Sequence, residues 1–193
     1  MKTDEQLVAD YLAGERSAFD ELVRRHLGAA YGFARKILGN DHDAEDAAQE
    51  AFVKAWRGLR SFDLEQNFRA WLFRIARNAA YDLRKKKRPS AFAEMDAGAP
   101  GMTFAETIAD RGPSLAEAVD RAGTAETVHA ALIRLPECYR RVLHLRFVED
   151  LTFREIGEVL GAPLDTVKCR CRRGLIRLKK LLAGAAPMSS PES

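Results

Sequence analysis

Between Lys168 and Lys180 the chain carries seven basic side chains and no acid: Lys168, Arg170, Arg172, Arg173, Arg177, Lys179 and Lys180. Such a run neutralises phosphates, and a helix bearing it can lay its first turns in a DNA major groove. The preceding residues frame it. Thr152-Phe153-Arg154-Glu155 has capping-box spacing, and Ile156, Val159 and Leu160 form an apolar stripe. Gly161 stops that helix, and Pro163 suits the first turn of the next. Val167, Cys171, Gly174, Leu175 and Leu178 are expected on the buried side of the second helix. Residues 152–175 therefore read as a helix-turn-helix. Asp165, Thr166, Lys168, Cys169 and Arg172 are placed to meet base edges, with Arg173 beside them. The competing account is a solvated basic face that merely favours a helix C-terminus. Cys169 and Cys171 lack the further ligands that zinc needs, so no metal is expected.

A second pattern lies at 43–57. In Asp43-Ala44-Glu45-Asp46-Ala47-Ala48-Gln49-Glu50-Ala51-Phe52-Val53-Lys54-Ala55-Trp56 the apolar stripe takes one side of a helix. Asp46, Gln49, Glu50, Val53 and Arg57 fall on the other, with Trp56 at the border. An apolar centre among polar groups suits a protein partner, although a plain solvated face also fits. Metal binding in a helical bundle would want inward Glu-x-x-His spacing, which is missing.

A third pattern follows. Arg74, Arg77, Asn78, Tyr81, Arg84 and Lys85 share a polar face that ends in Arg84-Lys85-Lys86-Lys87-Arg88. Phe62, Phe68, Trp71, Phe73 and Tyr81 lie close by. Cationic grooves with aromatic platforms hold single-stranded nucleic acid. The loop Ser61-Phe62-Asp63-Leu64-Glu65-Gln66-Asn67 is placed to receive an unstacked base. Trp71 is expected in the core, and a solvated helix end is the plain alternative for the basic run.

The elements that must position these groups are helices. Phe19, Leu22, Val23, His26, Leu27, Ala30, Phe33, Ala34, Ile37 and Leu38 follow the i, i+3, i+4, i+7 rule, and Gly39-Asn40 ends the stripe. Ala44, Ala47, Ala48, Ala51, Phe52, Ala55 and Leu59 form a second stripe. Phe68, Trp71, Leu72, Ile75, Ala76, Ala79 and Leu83 form a third. No stretch sustains strand alternation, so the expected class is all-α. Of the 193 residues, 47% are apolar and 31% charged, which is ordinary for a globular protein. Residues 1–88 carry 17 basic and 14 acidic side chains, 89–124 carry 2 and 6, and 125–193 carry 12 and 8. Two basic blocks thus flank an acidic, Gly- and Pro-bearing connector, and each block invites an anionic partner. No run approaches the roughly 20 apolar residues of a membrane helix, and the polar N-terminus is no secretory signal. Three cysteines read as reduced thiols, so a cytoplasmic protein is expected. With no Gly-rich phosphate loop and no nucleophile pair, no enzyme and no cofactor is expected.

These residues together resemble the extracytoplasmic function (ECF) group of the sigma-70 family of bacterial transcription initiation factors. The likeness is carried by the 43–56 segment, by Phe68-Arg69-Ala70-Trp71-Leu72-Phe73-Arg74-Ile75-Ala76-Arg77-Asn78, and by Leu135-Pro136, Tyr139-Arg140-Arg141-Val142-Leu143 and Asp165-Thr166-Val167-Lys168-Cys169-Arg170. It implies a sigma-two helical bundle at 1–88, a flexible acidic linker at 89–123, a sigma-four helix-turn-helix domain at 124–183 and a disordered tail at 184–193. Asp46, Gln49, Glu50 and Val53 would dock on the beta-prime coiled coil of core RNA polymerase. Phe62, Asp63, Leu64, Asn67, Phe68, Arg74, Asn78, Tyr81, Arg84 and Lys85 would read the minus-ten element and trap a flipped base, a step that costs a few kcal/mol. Asp165, Thr166, Lys168, Cys169, Arg172 and Arg173 would read the minus-thirty-five duplex, and the same domain would touch the beta flap. An anti-sigma factor would hold the protein inactive. Two other readings compete: a sigma mimic that titrates an anti-sigma factor, and a plain helix-turn-helix regulator. The first should lose the basic recognition helix, which is present here. The second leaves the 46–53 face and the 84–88 run without a role.

Overall fold

The computed structural model describes residues 2–87 and 124–185. The expected linker at 89–123, residues 186–193 of the expected tail, and Arg88 lie outside the described residues. Among those described, every regular element is a helix. They form two compact units, the first built on the helices of 4–87 and also taking in Arg154–Ala162, the second on the rest.

In the first unit, α1 is Asp4–Leu12. The sequence reading starts its helices at Phe19 and has no place for it. Its start is nonetheless encoded locally: Thr3 Oγ1 accepts from the Gln6 amide at 3.2 Å, and Gln6 Oε1 accepts from the Thr3 amide at 2.9 Å. This reciprocal box satisfies two otherwise orphaned amides. Helix α2, Ser17–Leu38, buries Leu22, His26, Ala30, Phe33, Ala34 and Ile37. Gly39 closes it at φ +78°, a left-handed conformation that glycine adopts without a Cβ penalty. Helix α3, Asp41–Gly58, is capped by Asn40, whose side chain accepts from the Asp43 amide at 2.9 Å. A short 3-10 turn, Leu59–Ser61, follows, and then α4, Phe68–Lys87.

Helix α3 packs on both α2 and α4. Its inner face is mostly alanine, Ala44, Ala47, Ala48, Ala51 and Ala55, and α4 answers with Ala70, Ala76, Ala79 and Ala80. Small facing side chains let helix axes come close. Phe33 and Phe73 fill the space beside them, edge to face at 5.0 Å. Most of the expected stripes of α2, α3 and α4 is the observed core, while Phe19, Val23, Leu38, Trp71, Ile75 and Leu83 are only partly buried and Leu27 is exposed.

The second unit holds α5, Ala125–Ile133, α6, Glu137–Phe147, and α8, Leu164–Ala185. Helix α8 packs on α6 and α5. The approach is tight at Gly174, where a Cβ would stand 3.2 Å from Leu143 Cδ1 and from Tyr139 Cβ. Helix α8 also takes in Gly184 and Ala185, which the sequence places in the tail. Ahead of it, α7 is Phe153–Leu160. Its end is a Schellman turn: Gly161 is left-handed at φ +64°, and the Ala162 amide donates to the Gly157 carbonyl at 2.9 Å. Pro163 stands one position before α8 rather than in its first turn, and its carbonyl accepts from the Val167 amide at 3.1 Å.

Candidate functional site

Three surfaces carry the residues singled out by the sequence. The first is the outer face of α3. Because the alanine stripe turns inward, Asp46, Gln49 and Val53 are exposed and Glu50 is half-buried. Val53 is 46% exposed, which costs apolar hydration and gains nothing within the chain. Trp56, one turn on, is 51% exposed, and its indole N–H donates to the Tyr11 hydroxyl. The sequence reading leaves Trp56 at the border; the structure puts it on the same outward surface as Val53. The face is less acidic than its composition. Glu50 meets Lys54 at 2.8 Å, holding that ammonium above its usual pKa, and Lys54 also reaches Asp82 at 3.5 Å. Asp46 has His42 at 3.9 Å.

The second surface is the loop before α4 and the polar face of α4. Here the assigned residues differ in burial. Phe62 and Phe68 are core residues, 7% and 0% exposed, with ring centroids 5.8 Å apart and Phe62 5.0 Å from Trp71. Their aromatic surface is worth more buried than offered to solvent, so they shape the loop from beneath. Trp71 packs on this cluster and is only partly buried. Asn67 is the cap of α4: its Oδ1 accepts from the Ala70 amide at 3.2 Å. Asp63 builds the turn between, its Oδ1 accepting from the Glu65 amide at 3.0 Å and its carbonyl from the Gln66 amide at 2.9 Å. Leu64, 44% exposed, is the loop's outward apolar side chain, among the exposed Asp63, Glu65, Gln66 and Asn67.

Along α4, Arg74 and Tyr81 are half-buried, and Asn78 and Lys85 are exposed. Arg77 donates to Asn78 Oδ1 at 2.9 and 3.2 Å, and its guanidinium lies 5.6 Å from the Tyr81 ring centroid. The basic run is partly structural. Arg84 donates to the Ile37 carbonyl at 3.1 Å, satisfying a carbonyl left open at the end of α2. Lys87 bonds Asp43, and with Asn40 it holds that carboxyl below the usual range. Arg84 thus ties α4 to α2 through one of its donors.

The third surface is α8. Asp165, Lys168, Cys169 and Arg172 are exposed, and Thr166 and Arg173 are half-buried. Val167, Cys171, Gly174, Leu178 and Leu182 form the inner stripe, while Leu175 is only half-buried. The seven basic residues do not share one face. Lys179 is buried, and the Arg177 guanidinium lies 5.4 Å from the Tyr139 ring centroid. The exposed cations of the first turns are therefore Lys168 and Arg172. Cys169 faces out and Cys171 in, as their spacing requires, and burial pushes the Cys171 thiol up. Among the described residues no cluster of three His, Cys, Asp or Glu offers a metal site, and no helix is long and apolar enough to cross a membrane.

Two family models match the chain: Sigma-70 region 2 over residues 22–89, and Sigma-70, region 4 over residues 131–180. The ECF RNA polymerase sigma factor SigW of Bacillus subtilis is 37% identical over 170 residues, covering 88% of this chain and 91% of that protein. The ECF RNA polymerase sigma factor SigM of Mycobacterium tuberculosis is 33% identical over 181 residues, covering 94% and 85%. Among solved structures, CnrH in complex with the cytosolic domain of CnrY is similar with a TM-score of 0.60 and 29% identity, covering 94% of this chain and 97% of that one.

Proposed function

The chain belongs to the extracytoplasmic function group of the sigma-70 family, and from that premise we propose which of its surfaces carries each step of transcription initiation. As an ECF sigma factor it binds core RNA polymerase and directs it to promoters, recognising the minus-thirty-five duplex and opening and trapping the minus-ten element. The family works by binding, and we assign this chain no catalytic residue, placing its work in the cytoplasm beside polymerase. The observation that carries the reading is the order of the two family matches, region 2 at 22–89 and region 4 at 131–180, in one chain.

We assign core-polymerase docking to the outer face of α3, through Asp46, Gln49, Glu50 and Val53, with Trp56 added. An exposed apolar centre ringed by polar groups is the anatomy of a docking patch. Minus-ten recognition goes to the loop apex around Leu64 with Asp63, and to Arg74, Asn78, Tyr81 and Lys85. Phe62, Phe68, Asn67 and Arg84 support that surface from within. Minus-thirty-five recognition goes to Asp165, Thr166, Lys168, Cys169, Arg172 and Arg173 at the start of α8. Domains of 1–88 and 124–183 would then act on separate DNA elements. A structural relative is bound to the cytosolic domain of CnrY, which supports a regulator for this chain too: an anti-sigma factor that covers the α3 face.

Run-off transcription with core polymerase, this protein and a library of promoters tests the proposal. Transcripts from a defined promoter class that depend on the added protein are expected. Core polymerase that transcribes no promoter selectively would overturn it.

A further inference from the structure

We propose that α1 is a clamp on the minus-ten loop and that Glu5 is a positioning residue for base capture; this rests on the assignment of residues 62–68 above. Helix α1 lies ahead of the residues matched by the region 2 model, which begin at 22.

Two neighbouring acids of its first turn converge on one residue of α4. Glu5 Oε1 accepts from the Phe68 amide at 3.1 Å, across 63 positions of sequence. That amide is one of those a helix start leaves without an internal partner. A carboxylate there also meets the positive end of the helix dipole. Asp4 reaches Phe68 by another route. Its Oδ2 lies 2.6 Å from His26 Nε2, its Oδ1 accepts from Arg25 at 3.0 Å, and the His26 ring lies 5.7 Å from the Phe68 ring. Both the backbone and the ring of Phe68 therefore depend on α1. The helix is itself held in place, by burial of Leu7 and Val8 and by the bond between Tyr11 and Trp56.

Phe68 closes the loop that Phe62 opens, and the Asp63–Gln66 turn spans the gap between these two anchors. The position of Leu64 is set by both. A loop that must hold an unstacked base binds best when it is ordered beforehand, because ordering on binding is subtracted from affinity. Without an acceptor at position 5 the Phe68 amide is orphaned and the first turn of α4 loosens. The α3 face meets α1 through Trp56 and Tyr11, in the last turn of α1, whereas Glu5 stands in the first turn, so losing the Glu5 bond leaves that contact in place.

The test compares full-length wild type, Glu5→Ala, Glu5→Gln and Leu64→Ala, each with core polymerase. The probe is a non-template minus-ten strand from a promoter selected by run-off transcription, with 2-aminopurine at successive positions to report unstacking. Core affinity and the thermal midpoint are measured alongside. Glu5→Ala is expected to lose roughly tenfold in single-strand affinity, the effect of one orphaned amide, with core affinity unchanged. Glu5→Gln retains an acceptor oxygen and is expected to restore capture. If Leu64→Ala loses capture and Glu5→Ala does not, the clamp is wrong while the loop assignment stands. If neither loses it, the loop assignment has failed and the clamp with it. Loss of core affinity in step with capture, or failure of Glu5→Gln to rescue, would reduce Glu5 to a stabilising residue and overturn the proposal.

Discussion

Arg172 and Asp46 are both exposed charges on helices whose opposite faces are buried, yet they are expected to meet different polymers. Arg172 stands two turns into α8, with Lys168 as its exposed basic neighbour one turn earlier. If it contacts a base edge, Arg172→Ala weakens binding to the minus-thirty-five duplex by about 1–3 kcal/mol and relaxes selectivity at one position. Competition binding across single-base variants of the duplex checks this, since a uniform loss for every sequence would make Arg172 a phosphate contact. Asp46 and Glu50 flank the exposed Val53. Glu50 already shares its charge with Lys54 at 2.8 Å, so Asp46 is expected to be the stronger single determinant of docking. Reversing both to Lys is expected to abolish co-purification with core polymerase while the helical circular dichroism stays as in wild type. A double variant that still co-purifies would move the docking face elsewhere.

Two elements depend on contacts that a single substitution can probe. The turn after α7 brings the Ala162 carbonyl so close to Gly157 that an added Cβ would lie 2.9 Å from it. Neither backbone can yield without reopening the turn, so Gly157→Ala is expected to cost about 1–3 kcal/mol in chemical denaturation. The clamp of α1 is electrostatic at Asp4. Burial alone would raise the Asp4 pKa, but the bonds and charges of His26 and Arg25 outweigh it and the carboxyl is held below its usual value. A carboxylate depressed in the folded state stabilises fully above its unfolded pKa of about 3.9 and loses that contribution as pH falls through the folded value. Asp4→Asn is therefore expected to melt lower than wild type at pH 7, with the gap between them narrowing below about pH 4. A constant gap across a pH series of melts would show that Asp4 contributes by packing alone.

At the scale of the whole molecule, one surface is asked to serve two partners. Polymerase docking and regulator binding are both assigned to the α3 face, and a single patch holds one at a time. Protein captured from unstressed cells is expected to carry a small partner and little polymerase, and added core enzyme should compete with that partner. Protein found free, or always bound to polymerase and active, would point to control by synthesis instead. The charge layout fits a chain that touches DNA at both ends. Residues 1–88 are net basic by 17 to 14 and residues 125–193 by 12 to 8, while 89–124 are net acidic by 6 to 2.

The residues themselves determined the helices of the two blocks, because helix periodicity, caps and glycine stops act within a turn or two of chain. The alanine stripe of α3, the Gly39 and Gly161 stops and the outward set Asp46, Gln49 and Val53 are all written at that range. Even α1, absent from the sequence reading, is announced by Thr3-x-x-Gln6, a signal easily passed over in a polar terminus. Only the tertiary structure decided which members of a polar or aromatic set remain available for function. Arg84 is committed to a carbonyl 47 positions away, Lys87 to a carboxylate 44 away, and the Phe68 amide to a carboxylate 63 away. No local pattern encodes such partners, because each bond exists only after α4 has packed with another helix far away in sequence. The same packing draws Phe62 and Phe68 into the core, where burying a ring outweighs leaving it exposed, so that they anchor the two ends of the loop.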